Sequence, residues 1–389
     1  MPTRATKRGA LRTSLRRDCD VLICGASFAG LTLARELEGA GASVLMLDRY
    51  EIGERQTSAC AAPTEWLERL GLHASILQSF GEIVVHTTRA SARWQLPFTF
   101  STFDYRALCA LLRDGSPGTT FETATVERID TGSVHRVHTD RGELRAPLVV
   151  DALGWRRLLS NRGAIQPPQA RLSRGLEVHP DGSGDDLEIW IDPRYVRAGY
   201  SWSFPAAGEL RVGVGSFEPR DHVKDATVAL AGDLDVPAVR FQGNWIPHKL
   251  RAATEEGVFF VGDAAGHCLP LTAEGIRPAF YFALALGREL RHALAGRATR
   301  EQALERYSAF SAQHAWQYGC LLAAQHLVGR ATASAALRAA VRAVSLPALG
   351  RWAFGHYLAI APPQFASWRR PPASPGAAAP LIGVASSLT

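Results

Sequence analysis

Residues 20–24 (DVLIC) form a short, nearly continuous apolar run, as expected of a strand covered on both faces, and the apolar spacing over residues 31–37 predicts a helix. Residues 43–48 (SVLMLD) repeat the strand pattern and end in an acid, so the three together read as a β-α-β unit. Further buried runs fall at residues 148–151 and 257–261, and a long helix is predicted to continue to about residue 292. A helix start is expected within FDYRALCALL (residues 103–112). The stretches 81–100 and 161–252 differ in texture. There RLSRGLEV, LEIWID, GYSWSF and ELRVGVGSF alternate between turns rich in Gly, Pro and Asp, which predicts an antiparallel sheet. Residues 306–360 are rich in Ala, Leu and Arg without strand alternation, predicting amphipathic helices. No internal repeat is found.

The turn after the first strand reads CGASFAG, with Gly25 and Gly30 at the outer positions of a G-x-G-x-x-G fingerprint and Ser27 at the middle one. In such a turn the first glycine makes the bend and the third lets helix approach strand. Ser27 adds only a small side chain, and its hydroxyl can donate to a phosphate at the positive helix N-terminus. Asp48, 18 residues past Gly30, is placed to accept from a ribose hydroxyl. A plain β-α turn is the competing reading of this stretch alone.

Composition changes the picture little. The chain has 389 residues, 47% hydrophobic and 21% charged, which suits a globular protein. Its formal charge of +6 is concentrated at the start, where Arg4, Lys7, Arg8, Arg12, Arg16 and Arg17 lie within the first 17 residues. That stretch is expected to be a solvated, disordered tail, with no nucleic-acid partner implied. Its arginines ahead of an apolar run mimic a secretory leader, but Gly25 and Gly30 at fingerprint positions favour a strand and helix. Residues 371–389 form a Pro/Ala stretch expected to lack a fold. The six cysteines include no C-x-x-C pair, so neither a metal site nor a disulfide framework is indicated, and a cytoplasmic location is the simpler expectation. No apolar run of 18 residues suggests a membrane span.

The strand at 257–261 runs into GDAAGHCLPLTAEGIRPAF, residues 262–280. An Asp directly after a strand lets a carboxylate face the hydroxyls of a bound ligand, and Asp263 is that residue. Gly275 and Ile276 open the following helix, whose N-terminus can stabilise negative charge on a bound ring. The Gly25 unit, Arg106 on its helix, the LVVDALGWRRLL segment with Asp151, and the Gly262–Asp263 motif occur in the order seen in flavoproteins similar to para-hydroxybenzoate hydroxylase. The resemblance spans residues 19–305 and implies FAD. It implies cofactor contacts from Gly25, Ser27, Phe28, Ala29, Gly30, Asp48, Arg49, Arg106, Val126, Asp151, Gly262, Asp263, Gly275 and Ile276.

LICGASFAGLTLARELEGAGASVLMLDR, GERQTSAC and GDAAGHCLPLTAEGIRPA resemble more specifically the geranylgeranyl reductase branch, as does YSWSFPAAGELRVGVG, residues 200–215. By that resemblance Tyr200, Trp202, Phe204 and Pro205 line a cavity for an isoprenoid chain, with Gly213 on the strand behind. Without it, Trp202 and Phe204 read equally as core positions of a strand. Cys60 and His267 are the candidate catalytic residues; a structural thiol and an ordinary loop-packing histidine are the competing readings. The chain departs from the family at Ala273, where glycine is usual, and at D-A-L-G (151–154) in place of A-D-G.

The expected architecture is α/β: a Rossmann-like FAD-binding domain (18–80, 101–160 and 253–305), an antiparallel-sheet substrate domain (81–100 and 161–252) and a C-terminal helical segment (306–370) that caps the cavity or lies at a membrane surface. The expected function is flavin-dependent reduction of carbon-carbon double bonds in a hydrophobic, prenyl or polyene, substrate. Monooxygenation of an aromatic or polyketide-like substrate is the alternative. Halogenation and a catalytically silent redox sensor or lipid carrier are more distant ones. GVGSF (213–217) opens no helix and is no second fingerprint, so NADPH or an external redox protein is the expected electron donor.

Overall fold

The computed structural model describes residues 13–56, 58–160, 172–331 and 334–367. The first twelve residues and the Pro/Ala stretch 371–389 lie outside the described residues.

A six-stranded sheet forms the centre. Its order is Thr254–Glu255, Val258–Phe260, Leu148–Asp151, Val21–Cys24, Val44–Asp48 and Thr120–Thr123. All neighbours are parallel except the edge strand Thr254–Glu255. The register sets Val21 opposite Val44 and Leu148, and Cys24 opposite Leu47 and Asp151. All four residues of Val21–Cys24 are buried, which is why the strand is apolar throughout instead of alternating.

Helix α1 (Phe28–Leu37) follows the fingerprint turn. Short α2 (Thr64–Arg69) comes next, and then α3 (Tyr105–Asp114), whose N-cap Asp104 accepts from the Ala107 N–H at 2.6 Å. The second sheet has eight strands, in the order Gln242–Pro247, Leu172–Val178, Leu210–Ser216, Gly199–Pro205, Leu187–Ile191, Ile76–Thr87, Ala90–Phe103 and Ala61–Pro63. It thus also recruits strands from within 18–80. Helix α4 (Lys224–Asp233) is absent from the strand-rich expectation for 161–252. Only Thr227, Leu230 and Ala231 of it are buried, and this thin stripe packs in the cluster holding Val178, Val212 and Val214.

The C-terminal part is helical: α5 (Ile276–Leu294), α6 (Arg300–Ala312), α7 (Ala315–Ala331), α8 (Ala335–Val344) and α9 (Pro347–Leu358). Helices α1 and α5 pack closely where Gly287 lacks a side chain, since a Cβ there would stand 2.4 Å from Glu36 Cγ. Within 101–160 a third sheet forms from Val126–Asp130, His135–Thr139 and Gly142–Ala146. Its edge corrects the expectation of a free tail through residue 17. Arg17–Asp18 pairs in parallel with Leu144 and Arg145, and the Leu15 N–H donates to the Arg141 carbonyl at 2.8 Å. An open strand edge there offers unpaired backbone groups, and the chain satisfies them.

Candidate functional site

The carboxyl ends of the central strands open onto a cavity of about 1220 Å³. That exceeds the roughly 300–1,000 Å³ of a single small-ligand pocket. Ser27, Phe28 and Ala29 line it, while Gly25 and Gly30 shape its turn from behind. Gly25 has φ +114°, and a Cβ on it would stand 2.2 Å from the Ala152 carbonyl oxygen. A Cβ on Gly30 would stand 1.9 Å from the Gly25 carbonyl oxygen. Ser27 sits in extended backbone at φ −115°, a conformation that needs no glycine. The Ser27 hydroxyl lies 3.1 Å from the Tyr105 hydroxyl and makes no cap bond to α1. The first N–H groups of α1 therefore remain without a side-chain cap, as an anion-binding helix start requires.

Asp48 and Arg49 line the same cavity, as does Val126 beside Ala124 and Thr125. The Asp48 carboxylate accepts from the Ala26 N–H at 2.8 Å and the Tyr50 N–H at 3.0 Å, fastening the fingerprint turn to the second strand. Burial raises its pKa and those bonds oppose the rise.

Gly262, Asp263, Gly275 and Ile276 also line the cavity. Gly262 has φ 64°, and Gly275 is the N-cap of α5. No protein donor among the described residues bonds the Asp263 carboxylate; burial raises its pKa to about 6, with Arg251 opposing. A polar group facing a cavity without a partner is a ligand contact in waiting. Ala273 occupies the left-handed region at φ 52°, the conformation for which glycine is suited.

Three residues expected on the cofactor side are elsewhere. Arg106 is exposed and Tyr105 lines the cavity instead, because neighbours on a helix point about 100° apart. Asp151 is fully buried and its carboxylate accepts from the Leu153 and Leu159 N–H groups at 2.9 and 2.8 Å. It shapes the loop whose Ala152, Leu153 and Gly154 face the cavity. His267 points away from it. Its ring stacks on Phe282 at 3.7 Å with Nε2 3.0 Å from Ser311 Oγ, and burial drives its pKa well below the usual value. The adjacent Cys268 takes the cavity-facing place.

On the opposite side, Tyr200, Trp202 and Phe204 line the cavity while Ser201 and Ser203 are buried behind, following the period of two. Pro205 does not reach it. The strand ends there, and its carbonyl accepts from Thr102 Oγ1 at 2.8 Å. Trp202 is seated over glycines: Cβ atoms at Gly213 and Gly215 would stand 2.2 and 3.3 Å from its ring. Cys60 lines the cavity at φ 51°, and burial raises its thiol pKa well above the ordinary value, keeping it protonated. Beyond Trp202 the cavity becomes an apolar chamber between the hairpin 76–103 and helices α8 and α9. Ile83, Trp94, Phe98, Val341 and Phe354 line it, with Trp94 and Phe98 rings 5.9 and 6.3 Å from that of Phe354.

A polar group that the motifs did not reveal also lies here. Glu177 lines the cavity, and its Oε2 accepts from the Trp202 indole N–H at 3.2 Å. Its Oε1 accepts from His179 Nε2 at 3.0 Å, and His179 Nδ1 donates to Glu209 at 2.9 Å. Burial would depress the His179 pKa, but the two carboxylates outweigh it and raise the value to about 9. Arg211 joins Glu209 to the backbone carbonyls of Ala59 and Cys60. The signal available in sequence was Glu177 and His179 two apart at the end of one extended run.

At the mouth of α5, Glu274 pairs with the fully buried Arg277 at 2.7 Å and also accepts from the Tyr357 hydroxyl. Arg277 donates further to the carbonyls of Leu358 and Ala361 at 3.1 and 3.2 Å.

This arrangement suits FAD: uncapped N–H groups at α1 for a pyrophosphate, Asp48 at the second strand end for a ribose, and unpartnered Asp263 beside the α5 N-terminus for the flavin half. Among the described residues no group of three or more His, Cys, Asp or Glu is placed to hold a metal ion. No helix of the described residues is long and apolar enough to cross a membrane.

Residues 18–127 match the FAD binding domain family. The chain is 23% identical over 331 residues to digeranylgeranylglycerophospholipid reductase 3 of Methanosphaera stadtmanae, covering 77% of this chain and 83% of that protein. Its fold is similar to that of a geranylgeranyl bacteriochlorophyll reductase-like protein from Thermoplasma acidophilum, with TM-score 0.74, 16% identity, and 91% and 98% of the two chains covered. It is also similar to a probable FAD-dependent monooxygenase from Pseudomonas aeruginosa, with TM-score 0.65, 19% identity, and 83% and 99% covered. The chain therefore carries an FAD-binding domain over residues 18–127 and has the fold of FAD-dependent oxidoreductases, with geranylgeranyl reductase-like proteins among those it is similar to.

Proposed function

We propose that this protein reduces carbon-carbon double bonds of a hydrophobic, prenyl-type substrate. The observation that carries the proposal is the continuity of the cavity: one space of about 1220 Å³ joins the FAD motifs to a chamber walled by Ile83, Trp94, Phe98, Val341 and Phe354. An apolar chain laid in that chamber exchanges water for aromatic and aliphatic surface at roughly 25 cal/mol per Å² buried. The substrate named for the Methanosphaera relative, a geranylgeranyl lipid, is of that chemistry.

Bound and reduced, FAD supplies hydride equivalents. The remaining work belongs to the chain. Trp202, seated against Gly213, and Tyr200, whose hydroxyl donates to the Thr272 carbonyl at 2.5 Å, form the side wall of the cavity along the passage from the cofactor motifs to the chamber. Reduction of a double bond also consumes a proton. His179 holds one at neutral pH, and Glu177 carries the hydrogen-bond path from it to the cavity; the neutral Cys60 thiol is the second proton-bearing group on the wall. NADPH or a separate redox protein provides the electrons through transient docking, in keeping with the single nucleotide fingerprint at Gly25.

The test is anaerobic. Protein reduced by dithionite or NADPH is mixed with a geranylgeranyl lipid without oxygen. The proposal expects the flavin absorbance to recover as product gains two hydrogens per double bond. A flavin that stays reduced until air enters, with oxygen then appearing in an aromatic substrate, assigns the protein to monooxygenation and overturns the proposal.

A further inference from the structure

The C-terminal helices have apolar residues on both sides. Their inner side contributes Val328, Val344 and Phe354 to the cavity wall. Their outer side is also apolar. On α7, Trp316, Cys320, Ala323 and Leu327 fall at helical spacing along one stripe and all are exposed, Trp316 by 78% and Leu327 by 68%. Leu346, just before α9, and Trp352 within it are each 61% exposed. Five of the nine exposed large hydrophobic residues among those described lie in this part of the chain. Scattered single apolar residues on a surface need no explanation, but a helical layer apolar on both faces does.

Charge narrows the occupant. No Asp or Glu follows Glu305 in the sequence, whereas Arg330, Arg342 and Arg351 are exposed on α7, α8 and α9. Two copies meeting through this face would set arginines against arginines with no carboxylate on either side. An anionic lipid surface supplies the missing charge, and tryptophan is a residue favoured at its interface. We propose that the outer face of α7–α9 docks the protein peripherally on a bilayer containing anionic lipid, apolar side chains entering the headgroup boundary and arginines meeting the phosphates. The other side of the same helices is the chamber wall. Docking is independent of which substrate the chamber takes, so the two proposals stand or fall separately.

The test is co-flotation of the FAD-loaded protein with vesicles of phosphatidylcholine alone or mixed with phosphatidylglycerol. Binding is expected to the anionic vesicles, to weaken with salt, and to fall at least tenfold in W316S/L327Q/L346Q/W352S and in R330Q/R342Q/R351Q, each with flavin content and Tm unchanged. None of these side chains lines the cavity. If the wild type fails to float, or if the variants float as well as it does, the proposal is wrong. A dimer broken by the same substitutions, in a protein that ignores anionic vesicles, would assign the face to self-association instead.

Discussion

Trp202 occupies the space that a side chain on Gly213 would need: a Cβ there would stand 2.2 Å from Trp202 Cζ2. The position of this cavity wall is thus decided by the absence of an atom on the neighbouring strand. Gly213→Ala should displace the indole from Glu177 and raise KM for the substrate about tenfold, at a cost of about 1–3 kcal/mol from overpacking. Flavin content should be unchanged, and steady-state kinetics beside the absorbance ratio reads both.

The fingerprint behaves differently. Gly30→Ala sets a methyl group 1.9 Å from the Gly25 carbonyl oxygen, and backbone cannot yield as a flexible side chain can. The variant should purify with little or no FAD. A protein that remains fully yellow would show that α1 can shift away.

Ala273 adopts φ 52°, a region that costs an L-residue roughly 1–2 kcal/mol. Ala273→Gly relieves this, offset by glycine's greater freedom in the unfolded chain. The expected gain is up to about 1 kcal/mol, seen as a raised Tm.

Arg277 is fully buried and paired with Glu274. Arg277→Met leaves a buried carboxylate uncompensated and should cost about 3–5 kcal/mol. Replacing both partners, Glu274→Leu with Arg277→Met, should cost less than the single change. Denaturant titration of the three variants makes the comparison.

His179 gives stability a pH dependence. Its folded pKa, raised to about 9, lies above the ordinary 6.5, so the stabilisation is complete below about pH 6.5 and disappears as pH rises through 9. The two values correspond to on the order of 3 kcal/mol. Between pH 7 and 10 the wild type should lose more stability than His179→Gln; parallel curves would contradict the assignment.

The central sheet was legible in sequence because a parallel strand buried on both faces leaves a continuous apolar run, as at Val21–Cys24, and because Asp48 and Asp263 terminate such runs. What misled was rotation. Arg106 is one residue from the cavity-facing Tyr105, and His267 one from the cavity-facing Cys268. A motif fixes a segment in place, while the direction of each side chain depends on packing it does not encode. Asp151 was misread for a related reason: its backbone partners, Leu153 and Leu159, exist only once the loop has folded. Glu177 was missed because it belongs to no motif and acquires its role through His179, Trp202 and Glu209 together.

The link from Glu274 and Arg277 to Tyr357, Leu358 and Ala361 has a consequence for biosynthesis. The N-terminus of α5, beside Asp263, is braced by residues some eighty positions further along the chain. A nascent polypeptide that has emerged only as far as α5 holds both nucleotide motifs yet lacks the strut that braces the second of them. A translation product cut short before Tyr357 should therefore hold FAD less firmly than the full chain, however well its first domain folds.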